Sequence, residues 1–335
     1  MSSFTSLLTI DARSVTDSIE EYIQRVVDTS SARGVIIGLS GGLDSAVLAA
    51  LAVRALHKER VHVCYLYERD SSKQSRRRAI LMADWLDLEL RLHDIAPIMR
   101  QRQIYTPLIM RISTLSGSVN RLLISVYRFF YGESPFTSTL HKGSFSGHKL
   151  KKFFYDHTAR HAEAAFNVRH IYRRQFLEKL AKDHNLLLLG AGNRSEYLAG
   201  WFVKDGIDDM PFSPLLGLYK TQVRQLADFL GLPSEIRSQP PSPDMVKGVT
   251  DEFAIDISYT TLDIILDGLD RGLPDEQIVA AGASEKQISH VRKINQLSAW
   301  KRPSGRANQP VDGRVGGGFR GTPLCGNSIR YSEGK

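Results

Sequence analysis

Hydrophobic positions along the 335-residue chain recur with two different spacings. From Val15 to Val27, "VTDSIEEYIQRVV", they fall at helical intervals, and Asp11 or Ser14 stands where a helix N-cap belongs. Two strand-like runs follow. "GVIIGLS", residues 34–40, leads into an alanine-rich helix from Ser45 to Leu56, and "VHVCYLY", residues 61–67, leads through the polar loop "ERDSSKQS" into a helix ending at Trp85. A third short run, "LELRLHDI", stops before Pro97. Farther on, the basic helix "EAAFNVRHIYRRQFLEKLAKDHN" delivers the chain into "LLLLGAG", the continuous apolar run of a strand buried on both faces. Strands alternating with helices at this interval predict βαβ crossovers and an α/β fold with a doubly wound parallel sheet, Rossmann-like in outline.

Two segments break the pattern. Residues 98–161 contain an apolar, basic part, "LLISVYRFFYG", and a Gly/Ser/His/Lys part, "SPFTSTLHKGSFSGHK", which predict an inserted helical hairpin and a mobile loop serving as lid, docking surface or solvated insertion. From Pro303 the chain is rich in Gly, Pro and Arg with little to bury, so residues 303–335 are expected to be disordered. The formal charge of +8 is regional. Between Met99 and Arg160 the bases Arg100, Arg102, Arg111, Arg121, Arg128, Lys142, Lys149, Lys151, Lys152 and Arg160 face only Glu133 and Asp156.

The two cysteines, Cys64 and Cys325, make no disulfide framework and have no metal-ligand spacing; Cys64, inside "VHVCYLY", reads as a buried thiol. No apolar run approaches the roughly 18 residues of a membrane span. The first residues, "MSSFTSLLTIDARS", lack the basic start and apolar core of a secretory signal, so a cytoplasmic protein without a membrane partner is expected.

The chemistry concentrates in "LSGGLDS", the turn after the first predicted strand. In a parallel sheet that turn lies at the carboxyl edge, where open α/β folds bind ligands. Gly41 and Gly42 let backbone N–H groups approach oxygens that a Cβ would hold off, Ser40 and Ser45 add hydroxyls, and the following helix aims its N-terminus at the same place. Asp44 is suited to hold a divalent cation that neutralises phosphate charge. The turn carries neither the Gly-Lys-Ser/Thr of a Walker loop nor a G-x-G-x-x-G dinucleotide signature. Polyphosphate with a metal ion is what it is built to bind.

These residues resemble a known family. "SGGLDS" is similar to the pyrophosphate loop of the N-type ATP pyrophosphatases, whose fold is adenine nucleotide alpha hydrolase-like. The blocks "LLLLGAGNRSEYLAGWFVKDG", "PLLGLYKTQVRQLADFLGLP", "PPSPDM", "TDEFAIDISYTTLDIIL" and the "WKR" at Lys301 resemble NAD synthase in particular. The resemblance runs from about Val15 to Pro303, omitting the insertion, and implies one domain over residues 1–302 interrupted at about 98–161. It also implies a two-step amidation with ATP and Mg2+. The carboxylate of deamido-NAD becomes an acyl-adenylate, pyrophosphate leaves, and ammonia gives NAD and AMP.

The resemblance assigns ATP to Gly38, Ser40, Gly41, Gly42, Leu43, Asp44, Ser45, Lys220 and Ser242, and magnesium to Asp44 and Glu196, with Asp44 and Lys204 catalytic. For the acceptor it assigns Lys204, Asp208, Asp209 and Lys301. Departures cluster on the acceptor side. Aligned on Asn167 and Arg173, the Asn-x-x-Ala-Arg-x-Arg block of the family has Ile171 for its first arginine. In "KDGIDDMP", Ile207 and Pro211 stand for two aspartates of a Lys-Tyr-Gly-Asp-Gly-Gly-x-Asp loop, Trp300 replaces the histidine of a His-Lys pair, and Ala191 replaces a threonine beside ATP. Asp208 or Asp209 would have to move in by a local shift to serve a polar acceptor.

Neither cysteine supplies the nucleophile of a glutamine-hydrolysing domain, so ammonia is expected free or from a separate protein. The family implies a homodimer. Two other readings stay open: a paralogue that adenylates a different carboxylate or carbonyl, and a nucleic-acid-modifying enzyme using Tyr127, Phe129, Phe130, Tyr131, Phe153 and Phe154 for stacking.

Overall fold

Helix α1, Ala12–Thr29, opens the fold, and of its two candidate caps Asp11 is the one used. Its carboxylate accepts from the N–H groups of Arg13 at 3.1 Å and Ser14 at 3.3 Å. The computed structural model describes residues 8–142, 149–242 and 246–302. Strands β1 (Gly34–Gly38), β2 (Val61–Tyr67), β3 (Leu90–Asp94) and β4 (Leu186–Leu189) form a wholly parallel sheet in the order β3-β2-β1-β4. Helix α2, Leu43–Leu56, crosses from β1 to β2, and α3, Lys73–Trp85, from β2 to β3. Because α2 starts at Leu43 and not at Ser45, Asp44 lies in its first turn.

Apolar residues on both faces of the inner strands explain why helices cover both sides. Val35, Ile37, Val63, Leu187 and Leu189 join one core with α1, α2 and a later helix α11, Lys220–Phe229. Ile36, Cys64, Leu66 and Leu188 enter a second core on the opposite face. That face is closed by Ala165, Leu177 and Ala181 of the 26-residue helix α9, Ala159–His184. Cys64 is buried there as expected, and burial pushes its thiol up to about 11. Cys325 lies outside the described residues.

The inserted region is more helical than the sequence pattern suggests. After α4 (Ala96–Gln101) come α5 (Leu108–Ile112), α6 (Gly117–Tyr131), α7 (Pro135–Leu140) and α8 (Lys149–His157), so among the described residues four helices stand where a hairpin was expected. Ser134 caps α7 and Pro135 starts it, turning part of the expected loop into a helix whose Leu140 is buried. Residues 143–148, and the tail from 303, lie outside the described residues.

The rest of the chain adds α10 (Arg194–Ala199), α12 (Ser234–Arg237), α13 (Asp251–Ile255), α14 (Tyr259–Asp270), α15 (Asp275–Ala280) and α16 (Glu285–Leu297). The last three pack with Ala199, Leu140 and Ile255 in a third core. Among the described residues no helix is long and apolar enough to cross a membrane.

This topology fixes where ligands go. From β1 the chain builds β2 and β3 to one side, then returns through α9 to place β4 on the other. Strand order therefore reverses at β1, and the crevice beyond the carboxyl ends of β1 and β4 is the switch point at which such sheets bind ligands. "SGGLDS" follows β1 there, and the Gly190–Asn193 segment follows β4.

Candidate active site

A cavity of about 680 Å3 occupies the switch point. At one end lies the glycine turn, which its own hydroxyls hold in shape. The Ser40 and Gly42 N–H groups donate to Ser45 Oγ and Ser40 Oγ, both at 3.2 Å, and Ser45 Oγ donates to Gly42 O at 3.1 Å. Gly38, Ser40, Gly42, Leu43, Asp44 and Ser45 line the cavity. Gly41 faces away. At φ +76° its Cα lies so near α3 that a Cβ would stand 2.1 Å from Ser75 O, so this glycine makes the turn possible and does not form the cavity wall. Arg78 of α3 donates to Gly41 O at 3.1 Å and also lines the cavity, a contact that the run "KQSRRR" does not announce.

Asp44, Glu196 and Lys220, distant in sequence, meet beside the turn. Lys220 Nζ donates to Asp44 Oδ2 and, at 3.3 Å, to Glu196 Oε1. Asn193, the N-cap of α10, ties the carboxylates together: its Oδ1 accepts from the Glu196 N–H at 3.0 Å and its Nδ2 donates to Asp44 Oδ1 at 3.1 Å. Lys220 is held from behind. Its N–H donates to Ser195 Oγ at 2.8 Å, that hydroxyl donates to the fully buried Asp263 at 2.5 Å, and Asp263 accepts from the Thr221 N–H at 2.9 Å. Burial pushes Asp263 up to about 6.

A third carboxylate, Asp251, completes the cluster and was not singled out by the sequence. It is buried at the start of α13, accepts from Tyr259 OH at 3.2 Å, and lies near enough to Glu196 and Lys220 to influence both. Burial raises Asp251 to about 6. Glu196 is held well above the ordinary carboxylate range, first by burial and then by Asp44 and Asp251, against the pull of Lys220. Burial opposes the charge on Lys220, but Asp44 and Glu196 outweigh it and keep the ammonium protonated. Three carboxylates thus share one lysine.

Ser242 also reaches the cavity, its Oγ donating to Val249 O at 3.2 Å, whereas residues 243–245 of "PPSPDM" lie outside the described residues.

At the far end the structure sorts the acceptor candidates. Lys204, exposed, lines the cavity, as do Asp208 and Lys301. Asp208 pairs with His170 Nδ1 at 2.6 Å. Burial would raise its carboxyl, but His170, Arg173 and Lys301 outweigh burial and hold it below the usual range. Lys301 Nζ donates to Gly200 O at 2.8 Å and Phe202 O at 2.7 Å. Asp209 is placed differently: it is buried, accepts from the Asp205 N–H at 2.8 Å, and is not among the residues at the cavity wall, though it lies near enough to Lys301 to influence it. Ile171, Ala191, Ile207 and Trp300 all line the cavity, and Pro211 does not. The aromatic residues of the insertion do not form one platform. Tyr127 is turned inward, its OH donating to Ser138 Oγ at 2.9 Å, while Phe129 and Phe130 are exposed.

A model of the NAD synthase family matches residues 15–108 and 148–305. The NH3-dependent NAD+ synthetase of Coprothermobacter proteolyticus is 33% identical, over 84% of this chain and 94% of its own length. That of Thermotoga maritima is 34% identical with the same coverage. Among solved structures, an NMN synthetase from Francisella tularensis superposes with a TM-score of 0.63 at 22% identity, covering 88% of this chain and 97% of that one. An NH3-dependent NAD synthetase from Campylobacter jejuni gives 0.59 at 23%, covering 87% and 96%. These two similarities support the adenine nucleotide alpha hydrolase-like fold and nothing finer. With most of the chain matched by one family model and relatives above 30% identity over 94% of their length, the protein belongs to the NAD synthase family and is a C–N bond-forming ligase.

Proposed function

We propose that the chain is an ATP-dependent, AMP- and pyrophosphate-forming ligase that joins ammonia to a carboxylate, the NAD synthase reaction being the form its relatives' names point to. The observation that carries this reading is the meeting of Asp44, Glu196 and Lys220 beside a glycine turn at the sheet's switch point. In the first step an oxygen of the acceptor carboxylate bonds to the α-phosphorus as the bond to the β-phosphate breaks. In the second, ammonia bonds to the acyl carbon, AMP leaves with the C–O electron pair, and one proton passes to solvent. A carboxylate is a poor electrophile, so the N–H groups of the turn, the N-terminus of α2 and Lys220 serve chiefly to hold the pyrophosphate charge as it develops.

Magnesium fits the donor set. The oxygens are hard, and the acid cluster exceeds its one lysine in charge. Among the described residues no three His, Cys, Asp or Glu side chains form a cage, in keeping with an ion that takes much of its shell from phosphates and water. Asp44 and Glu196 would hold it, and bound there it would neutralise phosphate charge.

Deamido-NAD is the acceptor that kinship supports, with Lys204, Asp208 and Lys301 placed to meet it, and the homodimer and separately supplied ammonia belong to the same proposal. A different carboxylate is favoured by one observation, the apolar side chains of Ile171, Ile207 and Trp300 on the cavity wall. The test is release of pyrophosphate and AMP from ATP, magnesium and ammonium, with and without deamido-NAD. Stimulation with NAD formation supports NAD synthesis. A protein that binds ATP but releases no pyrophosphate with deamido-NAD or any other carboxylate would sink the adenylation reading.

A pH effect follows from Lys301. Burial pulls it down to about 8, while Glu163, Asp208 and Asp209 hold the proton and Arg302 repels it. Below pH 8 the group is charged; above it the charge is lost. The acceptor KM is expected to rise as pH passes about 8, and in Lys301→Arg, whose guanidinium does not titrate there, to stay level. A wild-type KM that is flat from pH 7 to 9.5 would remove Lys301 from carboxylate binding.

A further inference from the structure

We infer that His170 and Asp208 act as one unit that binds the acceptor, standing in for the arginine and the aspartate that the motif resemblance places at Ile171 and Ile207. The inference rests on the NAD synthase reading above and names residues that set the specificity of its acceptor site.

The first observation is a paired exchange along the sequence. In the Asn-x-x-Ala-Arg-x-Arg block aligned on Asn167 and Arg173, His170 stands at the alanine, immediately before Ile171 at the arginine. In the Lys-Tyr-Gly-Asp-Gly-Gly-x-Asp loop aligned on Lys204, Asp208 stands at a glycine, immediately after Ile207 at the aspartate. Each element has thus lost a charged residue and gained an ionisable one beside it. All four residues line the cavity. The exchange therefore moves a polar group along the wall without taking it out of the site.

The second observation is that the two gained residues meet. His170 Nδ1 lies 2.6 Å from Asp208 Oδ2, and both side chains are largely shielded, at 15% and 33% exposure. Either group alone on that wall would need another partner; together they satisfy one another. Their backbones are fixed to each other as well. The Ile207 N–H donates to His170 O at 3.2 Å, and Arg174 Nη1 donates to Asp209 O at 3.1 Å. Gly206 runs so near α9 that a Cβ on it would stand 2.9 Å from His170 Cβ. One turn earlier on α9 the Phe166 ring lies nearly parallel to the imidazole, with centroids 6.5 Å apart. With Nδ1 committed to Asp208, Nε2 is the ring nitrogen left for a ligand.

The third observation is where the pair stands. The loop passes the Gly190–Asn193 segment so closely that a Cβ on Gly192 would be 2.9 Å from Asp208 O. That segment ends at Asn193, which ties Asp44 to Glu196. Asp208 is near enough to influence Glu196 on one side and Lys301 on the other. The pair therefore lies between the carboxylates of the ATP end and the lysine of the acceptor end, where an acceptor must pass for its carboxylate to reach the α-phosphorus. A guanidinium offers a fork of donors, whereas an imidazole with one nitrogen engaged offers a single atom. The contact is thus to one polar atom of the acceptor and is lost whole when the ring is removed.

The experiment uses the full-length protein with ATP, magnesium, ammonium and deamido-NAD, and reads NAD formation, the KM for each substrate and the melting temperature. His170→Ala and Asp208→Ala are each expected to raise the KM for deamido-NAD about tenfold, while the KM for ATP moves less than about twofold. Because the two residues act as one unit, the double variant is expected to be little worse than the worse single, where independent effects would multiply to about a hundredfold. His170→Gln, which keeps a polar atom near the place of Nε2, is expected to recover part of the loss. His170→Ala, Ile171→Arg, Ile207→Asp and Asp208→Gly made together restore the motif, and are expected to return the KM to within about threefold of wild type. A KM for deamido-NAD unmoved by His170→Ala overturns the inference, as do losses confined to kcat and melting temperature, losses that multiply in the double variant, or a folded quadruple variant that keeps the raised KM. Amidation of other carboxylates but not of deamido-NAD also overturns it and leaves carboxylate ligation standing. No pyrophosphate with any carboxylate overturns both.

Discussion

Lys220→Met is expected to lower the melting temperature by on the order of 10 °C in metal-free buffer and to abolish ATP cleavage. Lys220 Nζ is almost wholly buried and is the cation bonded to Asp44 and Glu196, with Asp251 close behind. Removing one partner of a buried ion pair leaves the other charge without compensation, a loss of about 3–5 kcal/mol. Each kcal/mol moves the midpoint by roughly 2–4 °C in a protein of 150–250 residues and by somewhat less in one of 335. The sign of the magnesium effect is the sharper part of this expectation. If Asp44 and Glu196 hold the ion, adding millimolar magnesium should restore much of the lost stability in the variant and add less in the wild type, where Lys220 already offsets part of the charge. Thermal melts of both proteins with chelator and with magnesium decide it. A variant that melts like the wild type under both conditions would show that water reaches the cluster and that its charge is not confined.

Asp44→Asn carries the second large effect, with a smaller change in stability. The substitution is nearly isosteric, and its Oδ1 can still accept from Asn193 Nδ2. It removes one negative charge from a cluster with three carboxylates and one lysine but sets the new amide Nδ2 against Lys220 Nζ, whose ammonium keeps Glu196 as a partner, so the apo protein should lose less stability than Lys220→Met does. Catalysis should fall by about three orders of magnitude, since charge stabilisation by a bound divalent ion is worth several kcal/mol and each 1.4 kcal/mol is tenfold. Pyrophosphate release measured alongside ATP binding separates the two consequences. Turnover within tenfold of wild type would remove Asp44 from the metal site.

The glycine-turn end of the cavity was largely legible before the fold, and particular residues show why. "SGGLDS" combines an aspartate, two serines and two glycines in one local turn, so its meaning survives without tertiary context. Glu196 and Lys220 came from ordered blocks rather than from any local rule. Asp251 shows the limit. In "VTDEFAI" Thr250 caps α13 by accepting from the Phe253 N–H, and an acid in the first turn is an ordinary helix stabiliser, so the segment already has a complete local explanation. Only the packing of Tyr259 against it, and of Lys220 beyond, makes Asp251 part of the site. Asp209 shows another side of the same limit: the sequence does not reveal that its carboxylate is buried and accepts from the Asp205 N–H.

The insertion illustrates the same division. Its composition indicated helices and an excess of basic charge, but nothing in "LLISVYRFFYG" distinguishes Tyr127, bonded to Ser138 and facing the cavity, from Phe129, which faces solvent. Nor could the sequence reveal that Asn120 and Arg121 would be satisfied by backbone carbonyls more than a hundred residues away.

By itself, then, the sequence determined the alternation of strands and helices, the two-faced burial of β4, and the glycine turn after β1, because each depends on neighbours within a few residues of the chain. The tertiary structure decided which carboxylates share Lys220, which loop residues meet the cavity, and which inserted residues line it. Those outcomes depend on desolvation and on contacts between distant segments, and both come into being only when the sheet, α9 and the inserted helices close around the same space.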